Sequence, residues 1–79
     1  MVAGMSSRHR ALDLFGQNVR KNRTEKGLSQ EALAEKADLD PTYISGIERG
    51  VRNPSLLSIV RIAKALGTDS GSLFEGVKA

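Results

Sequence analysis

The chain has 79 residues, with 12 Lys or Arg against 9 Asp or Glu, a formal net charge of +3 and no cysteine. That length is one small domain, and the missing thiols exclude a disulfide framework and a thiolate metal site. No apolar run reaches the roughly 18 residues of a membrane span, and residues 1–10 lack the apolar middle of a signal peptide, so the expected location is the cytoplasm.

The charge is unevenly spread. Residues 1–29 carry six basic and two acidic groups, whereas residues 30–49 carry two basic and five acidic ones. A basic protein points to a polyanionic partner. Here the middle of the chain is acidic, so the argument for DNA rests on where individual residues point.

Residues 1–10 read as a polar, flexible tail and residues 11–79 as the folded domain. Arg8 and Arg10 are either solvated or able to reach phosphate from a flexible arm. His9 stands alone, so neither a metal nor a catalytic role is expected of it. Residues 11–26 read as the first helix, because Leu12, Phe15, Val19 and the stem of Arg23 recur at spacings of three and four. Gly16 lies on that stripe and allows close helix packing. Gly27 is placed to end the helix, and Leu28 returns the chain to the core.

Residues 29–49 organise the chain. Ser29 is positioned to cap a helix over residues 30–37, and Asp40 a second over residues 41–49, with Pro41 at its first position. Residues 38–40 separate them, and Asp38 falls where a left-handed backbone is common. Leu33, Leu39, Ile44 and Ile47 face inward if the helices cross steeply, with Ala34 small at the crossing. This is the layout of a helix-turn-helix, whose second helix enters a DNA major groove.

The outer faces of that second helix carry Thr42, Tyr43, Ser45, Gly46 and Arg49 in place of the Lys and Glu of an ordinary surface helix. Hydroxyls, a methyl group and an arginine fork are the groups that read base edges. Tyr43 reads equally as a ring at the core edge. Gly46 is expected to admit a phosphate or base. Gln30 is either a good first-turn helix former or an amide that reaches phosphate and braces the next helix. Glu48 would be repelled by phosphate, so it is expected to turn inward to Arg23. Arg52 and Asn53 follow the reading helix, placed for phosphate or base edges, with a plain surface arginine as the other reading.

Residues 55–66 form a fourth helix that is apolar over most of its circumference, more than a surface helix needs. It is either the centre of the core or also a subunit contact. Asp69 caps a short fifth helix over residues 70–75. Leu73 and Phe74 on it are expected at a dimer contact, the other reading being closure of the protomer core.

Arg23, the run Gly27-Leu28-Ser29-Gln30-Glu31-Ala32-Leu33-Ala34, the run Tyr43-Ile44-Ser45-Gly46-Ile47-Glu48-Arg49-Gly50, then Arg52-Asn53-Pro54-Ser55-Leu56 and Ala63-Lys64-Ala65-Leu66-Gly67 resemble the Cro/repressor-type helix-turn-helix (xenobiotic response element) family over residues 12–75. Within it the chain looks most like the controller proteins of restriction-modification systems. The resemblance implies an all-α, compact five-helix, lambda-repressor-like domain that binds a pseudo-palindromic operator as a homodimer. It implies base contacts from Thr42, Arg52 and Ser45, and contacts to or bracing against the DNA backbone from Gln30, Tyr43, Ser45, Arg49 and Asn53. It further implies a structural ion pair of Arg23 with Glu48, and a dimer-forming end at Leu73 and Phe74. Pro41 departs from the pattern, standing where controllers often carry a basic base-reading residue, and Asp38 replaces a common turn glycine.

The expected function is that of a transcriptional regulator on double-stranded DNA, with no cofactor, no metal, no membrane partner and no small-molecule effector. Control would come through protein concentration, and the family implies activation at low level and repression at high level. The alternative is an antitoxin-type module that binds DNA and a partner protein. No paired nucleophile and base, phosphate-cradling glycine loop or metal-ligand spacing is present in the sequence, so an enzyme is not expected.

Overall fold

Helix α1 (Arg10–Glu25) opens the fold in a computed structural model that describes residues 9–79. The expected tail over residues 1–10 lies outside the described residues as far as residue 8, Arg8 included. His9 is instead the residue before α1, and Arg10 is already helical. The stripe on α1 buries Phe15 and Val19, and Asn18 donates from its amide to the carbonyls of Leu73 and Glu75, both at 2.9 Å. Gly27 takes φ 72°, which lets the Leu28 N–H bond the Arg23 carbonyl and its own N–H bond Thr24, a Schellman closure.

Helix α2 (Gln30–Ala37) starts where the Ser29 hydroxyl accepts from the Ala32 N–H at 3.0 Å. It ends at Asp38, whose backbone is left-handed with φ 58°. Leu39 then bonds back to the Ala34 carbonyl and packs against the core. Helix α3 (Pro41–Glu48) follows at once, with the Asp40 carboxylate accepting from the Thr42 N–H at 2.7 Å. Helix α4 (Leu56–Leu66) is capped by Ser55, and the four-residue helix α5 (Ser70–Leu73) by Asp69.

Side chains from all five helices meet in one core. Val19, Leu33, Ile44, Ile47, Ile62, Leu66 and Leu73 are its fully buried members. Helix α2 packs on both α3 and α4, and α1 packs across α3. The helix-turn-helix is thus held from behind by α1 and from the side by α4. Among the described residues no helix is long and apolar enough to cross a membrane.

Helix α4 is apolar on two faces, as its sequence implied: Ile59, Ile62, Ala63 and Leu66 enter the core, while Leu56, Leu57 and Val60 lie on an exposed face. One expectation changes. Leu73, expected at a dimer contact, has no exposed surface and is enclosed by its own protomer. Burying a leucine side chain stabilises by about 2 kcal/mol, and here that burial fixes α5 to the core. Phe74 remains 43% exposed, its ring tilted against Phe15 at 5.1 Å.

Candidate nucleic-acid interface

Helix α3 has a core side and an open side. Ile44 and Ile47 are fully buried, while Thr42 and Arg49 are exposed and Tyr43 and Ser45 half-buried. Arg52 and Asn53, on the loop that follows, are exposed. The Arg49 Nε stands 3.4 Å from the Ser45 hydroxyl one turn back. The open side therefore offers hydroxyls, a threonine methyl and cationic forks. Its exposed polar groups, Thr42, Arg49, Arg52 and Asn53, lie on, or shortly after, one helix.

Its orientation is set by Glu48. The carboxylate is buried and lies 2.6 Å from Arg23 Nε on α1, with a second bond of 3.0 Å from Arg23 Nη2. Gln30 Nε2 on α2 donates to the same carboxylate at 3.0 Å. Arg23 also donates from Nη1 to the Leu28 carbonyl at 2.7 Å, in the turn between α1 and α2. Hydrogen bonding to Glu48 raises the Arg23 pKa above its ordinary value, burial works against it, and the carboxylate's charge adds to the rise. One acid thus fastens three helices, and Gln30 is a brace between α2 and α3 in this structure.

Tyr43 is tied to the far side of the loop. Its phenol oxygen accepts from the Ser55 N–H at 3.2 Å, and the Arg52 guanidinium carbon lies 5.3 Å from the ring centroid. Burial pushes the phenol pKa up, but hydrogen bonding with Ser58 and Ser55 and the charge of Arg52 outweigh it, leaving the group below its usual range. Tyr43 is therefore both a core-edge ring and a neighbour of the exposed arginine. The contact from Ser55 was not legible in the sequence, since it spans twelve residues across an irregular loop.

Gly46, expected to admit a phosphate or base, is buried in this structure, and the Arg52 side chain lies over the space that its missing side chain leaves. Gly16 behaves as the stripe implied: a Cβ at that position would overlap the Ile47 carbonyl oxygen and lie 2.7 Å from that of Glu48. The backbones of α1 and α3 touch at this point.

A helix-turn-helix family model matches residues 19–73. Control protein C.BamHI of Bacillus amyloliquefaciens is 54% identical over 63 residues, covering 78% of each chain. Among solved structures, the restriction-modification controller protein C.AhdI from Aeromonas hydrophila superposes with a TM-score of 0.82 at 48% identity, over 84% of this chain and 100% of that one. The controller C.Esp1396I, solved as a tetramer in complex with its natural 35 base-pair operator, gives 0.79 at 42% identity over 87% and 91%. The protein belongs to the helix-turn-helix family and, within it, groups with the control proteins of restriction-modification systems.

Proposed function

We propose that this protein is a sequence-specific transcriptional regulator in the cytoplasm, binding a pseudo-palindromic DNA operator as a homodimer and controlling a restriction-modification system. The observation that carries the reading is the two-sided α3. Its inner side is locked by Ile44, Ile47 and the Glu48 cluster, and its outer side carries Thr42, Ser45 and Arg49, with Arg52 and Asn53 beyond. A similar chain, C.Esp1396I, is solved on its operator. In this reading Thr42, Ser45 and Arg52 meet base edges. Gln30, Tyr43, Ser45, Arg49 and Asn53 lie along the DNA backbone or brace against it, fixing register.

The second copy of the chain would dock on the α4–α5 side. Leu56, Leu57, Val60 and Phe74 are exposed there and account for four of the five large hydrophobic side chains exposed among the described residues. A monomer has little reason to leave such groups in water on neighbouring helices. Two protomers would set their α3 helices about 34 Å apart, one turn of duplex.

The test is selection of bound sequences from random duplex DNA at near-physiological salt, with affinity then followed against salt. The expected result is a palindromic motif with half-sites about one turn apart. Each phosphate contacted adds about −0.9 to the slope of log affinity on log salt. Steep salt dependence without any enriched motif would reduce the protein to a non-specific phosphate binder.

A further inference from the structure

Gly46 stands inside α3, where glycine is a poor helix residue. Its place is explained by what lies over it. A Cβ at Gly46 would overlap Arg52 Cγ and lie 3.4 Å from Cδ and 3.5 Å from Cβ of the same side chain. The Gly46 carbonyl also accepts from the N–H groups of Val51 and Arg52, at 3.0 and 3.2 Å. Tyr43, three residues earlier on the same face, lies under the guanidinium, and its hydroxyl accepts from Ser55 N–H. The loop over residues 50–55 is therefore stapled to α3 at both ends, by a carbonyl and by a phenol. Between the staples the arginine stem lies flat across the missing side chain.

We infer that Gly46 is a positioning residue for Arg52: the empty space at Gly46 is the slot that holds the arginine stem in one rotamer and presents its guanidinium at the edge of the reading face. The inference rests on the proposal that Arg52 reads DNA. A methyl group at this position meets the second carbon of the side chain, so Arg52 cannot evade it by moving its tip. It must leave the slot by rotating near the backbone, which also takes it off the Tyr43 ring. The free arginine keeps its charge but must be ordered anew on each binding event. Affinity for the operator falls, while attraction to phosphate in general persists. Alanine meanwhile favours the helix over glycine.

The experiment compares Gly46→Ala, Arg52→Ala and the double variant, each for thermal melting and for binding to the selected operator and to random duplex. Gly46→Ala is expected to melt no lower than the native protein and to lose about threefold to tenfold in operator affinity, the range for ordering one long side chain. Its affinity for random DNA should stay within about twofold. In the Arg52→Ala background the same glycine change should have no further effect on operator binding, since the group it acts through is gone. Native operator affinity in Gly46→Ala, beside lost discrimination in Arg52→Ala, overturns the inference and leaves the reading role of Arg52 standing. Unchanged discrimination in Arg52→Ala instead removes the reading role itself. Should Gly46→Ala melt low, the double variant separates the causes: without the arginine stem the overlap is gone and only an ordinary 3.5 Å contact with the Cβ of residue 52 is left, so melting must recover at least to the Arg52→Ala value. A double variant that melts as low as Gly46→Ala overturns the inference.

Discussion

Glu48 receives hydrogen bonds from Arg23 on α1 and from Gln30 on α2 while standing on α3. Each donor approaches a carboxylate oxygen, so the amide of a glutamine cannot replace it. One oxygen of Glu48→Gln would still accept, but its nitrogen would face another donor, and Arg23, only 11% exposed, would lose its countercharge. The expected loss is roughly 2–3 kcal/mol of stability, the scale of hydrogen bonds to a charged group. In a domain this size that is a fall of several degrees or more in melting temperature, read by circular dichroism. Operator affinity measured far below the melting point should change by less than about threefold, because the Glu48 side chain is buried against α1 and α2 and not on the open side of α3. An unaltered melting curve would show that the pair contributes orientation without stability. The sequence clue to this residue was chemical misfit: an acid on a helix meant for phosphate has to point elsewhere.

At the level of the helices, the boundaries of α2 and α3 were legible because each has a hydroxyl or carboxylate cap, and α3 a proline at its first position. The left-handed turn at Asp38 was legible for the same local reason. Helix α5 was not. Four residues give no periodicity, so nothing in the sequence told whether Leu73 faced a partner or the core, and it is wholly in the core. The apolar excess of α4 signalled a second face but not which residues composed it. Glycines were half-readable: both Gly16 and Gly46 announced a close approach, but the approaching atoms belong to distant or looped segments. The two now predict opposite outcomes. At Gly16 the obstacle is the backbone of α3, which cannot rotate away, so Gly16→Ala should destabilise by roughly 1–2 kcal/mol, overpacking outweighing the gain in helix propensity. At Gly46 the obstacle is a side chain, and stability should hold. Melting both variants side by side checks the contrast; equal losses would mean that the Arg52 side chain does not move aside, and no loss at Gly16 that the α1–α3 contact yields more easily than its geometry implies.

For the molecule as a whole, the proposed docking of a second copy on the exposed apolar face of α4 would link assembly to DNA binding. Leu57→Gln with Val60→Gln changes residues that are 58% and 46% exposed in the protomer, so folding of the protomer should survive. Sedimentation should then report a monomer, and operator affinity should fall steeply, since two half-sites no longer bind as a unit. A dimer that persists would place the contact elsewhere, with Phe74 and its neighbours the next residues to change.

The touching backbones of α1 and α3 carry a mechanical consequence. With no side chain at Gly16 and a carboxylate held from two other helices, α3 has little freedom to roll within its protomer. A stiff reader cannot adapt to a half-site that is slightly underwound or displaced, so the elastic energy of any mismatch is stored in the duplex. Base steps between the half-sites, touched by no side chain, would then tune affinity through their flexibility, with pyrimidine–purine steps the most compliant.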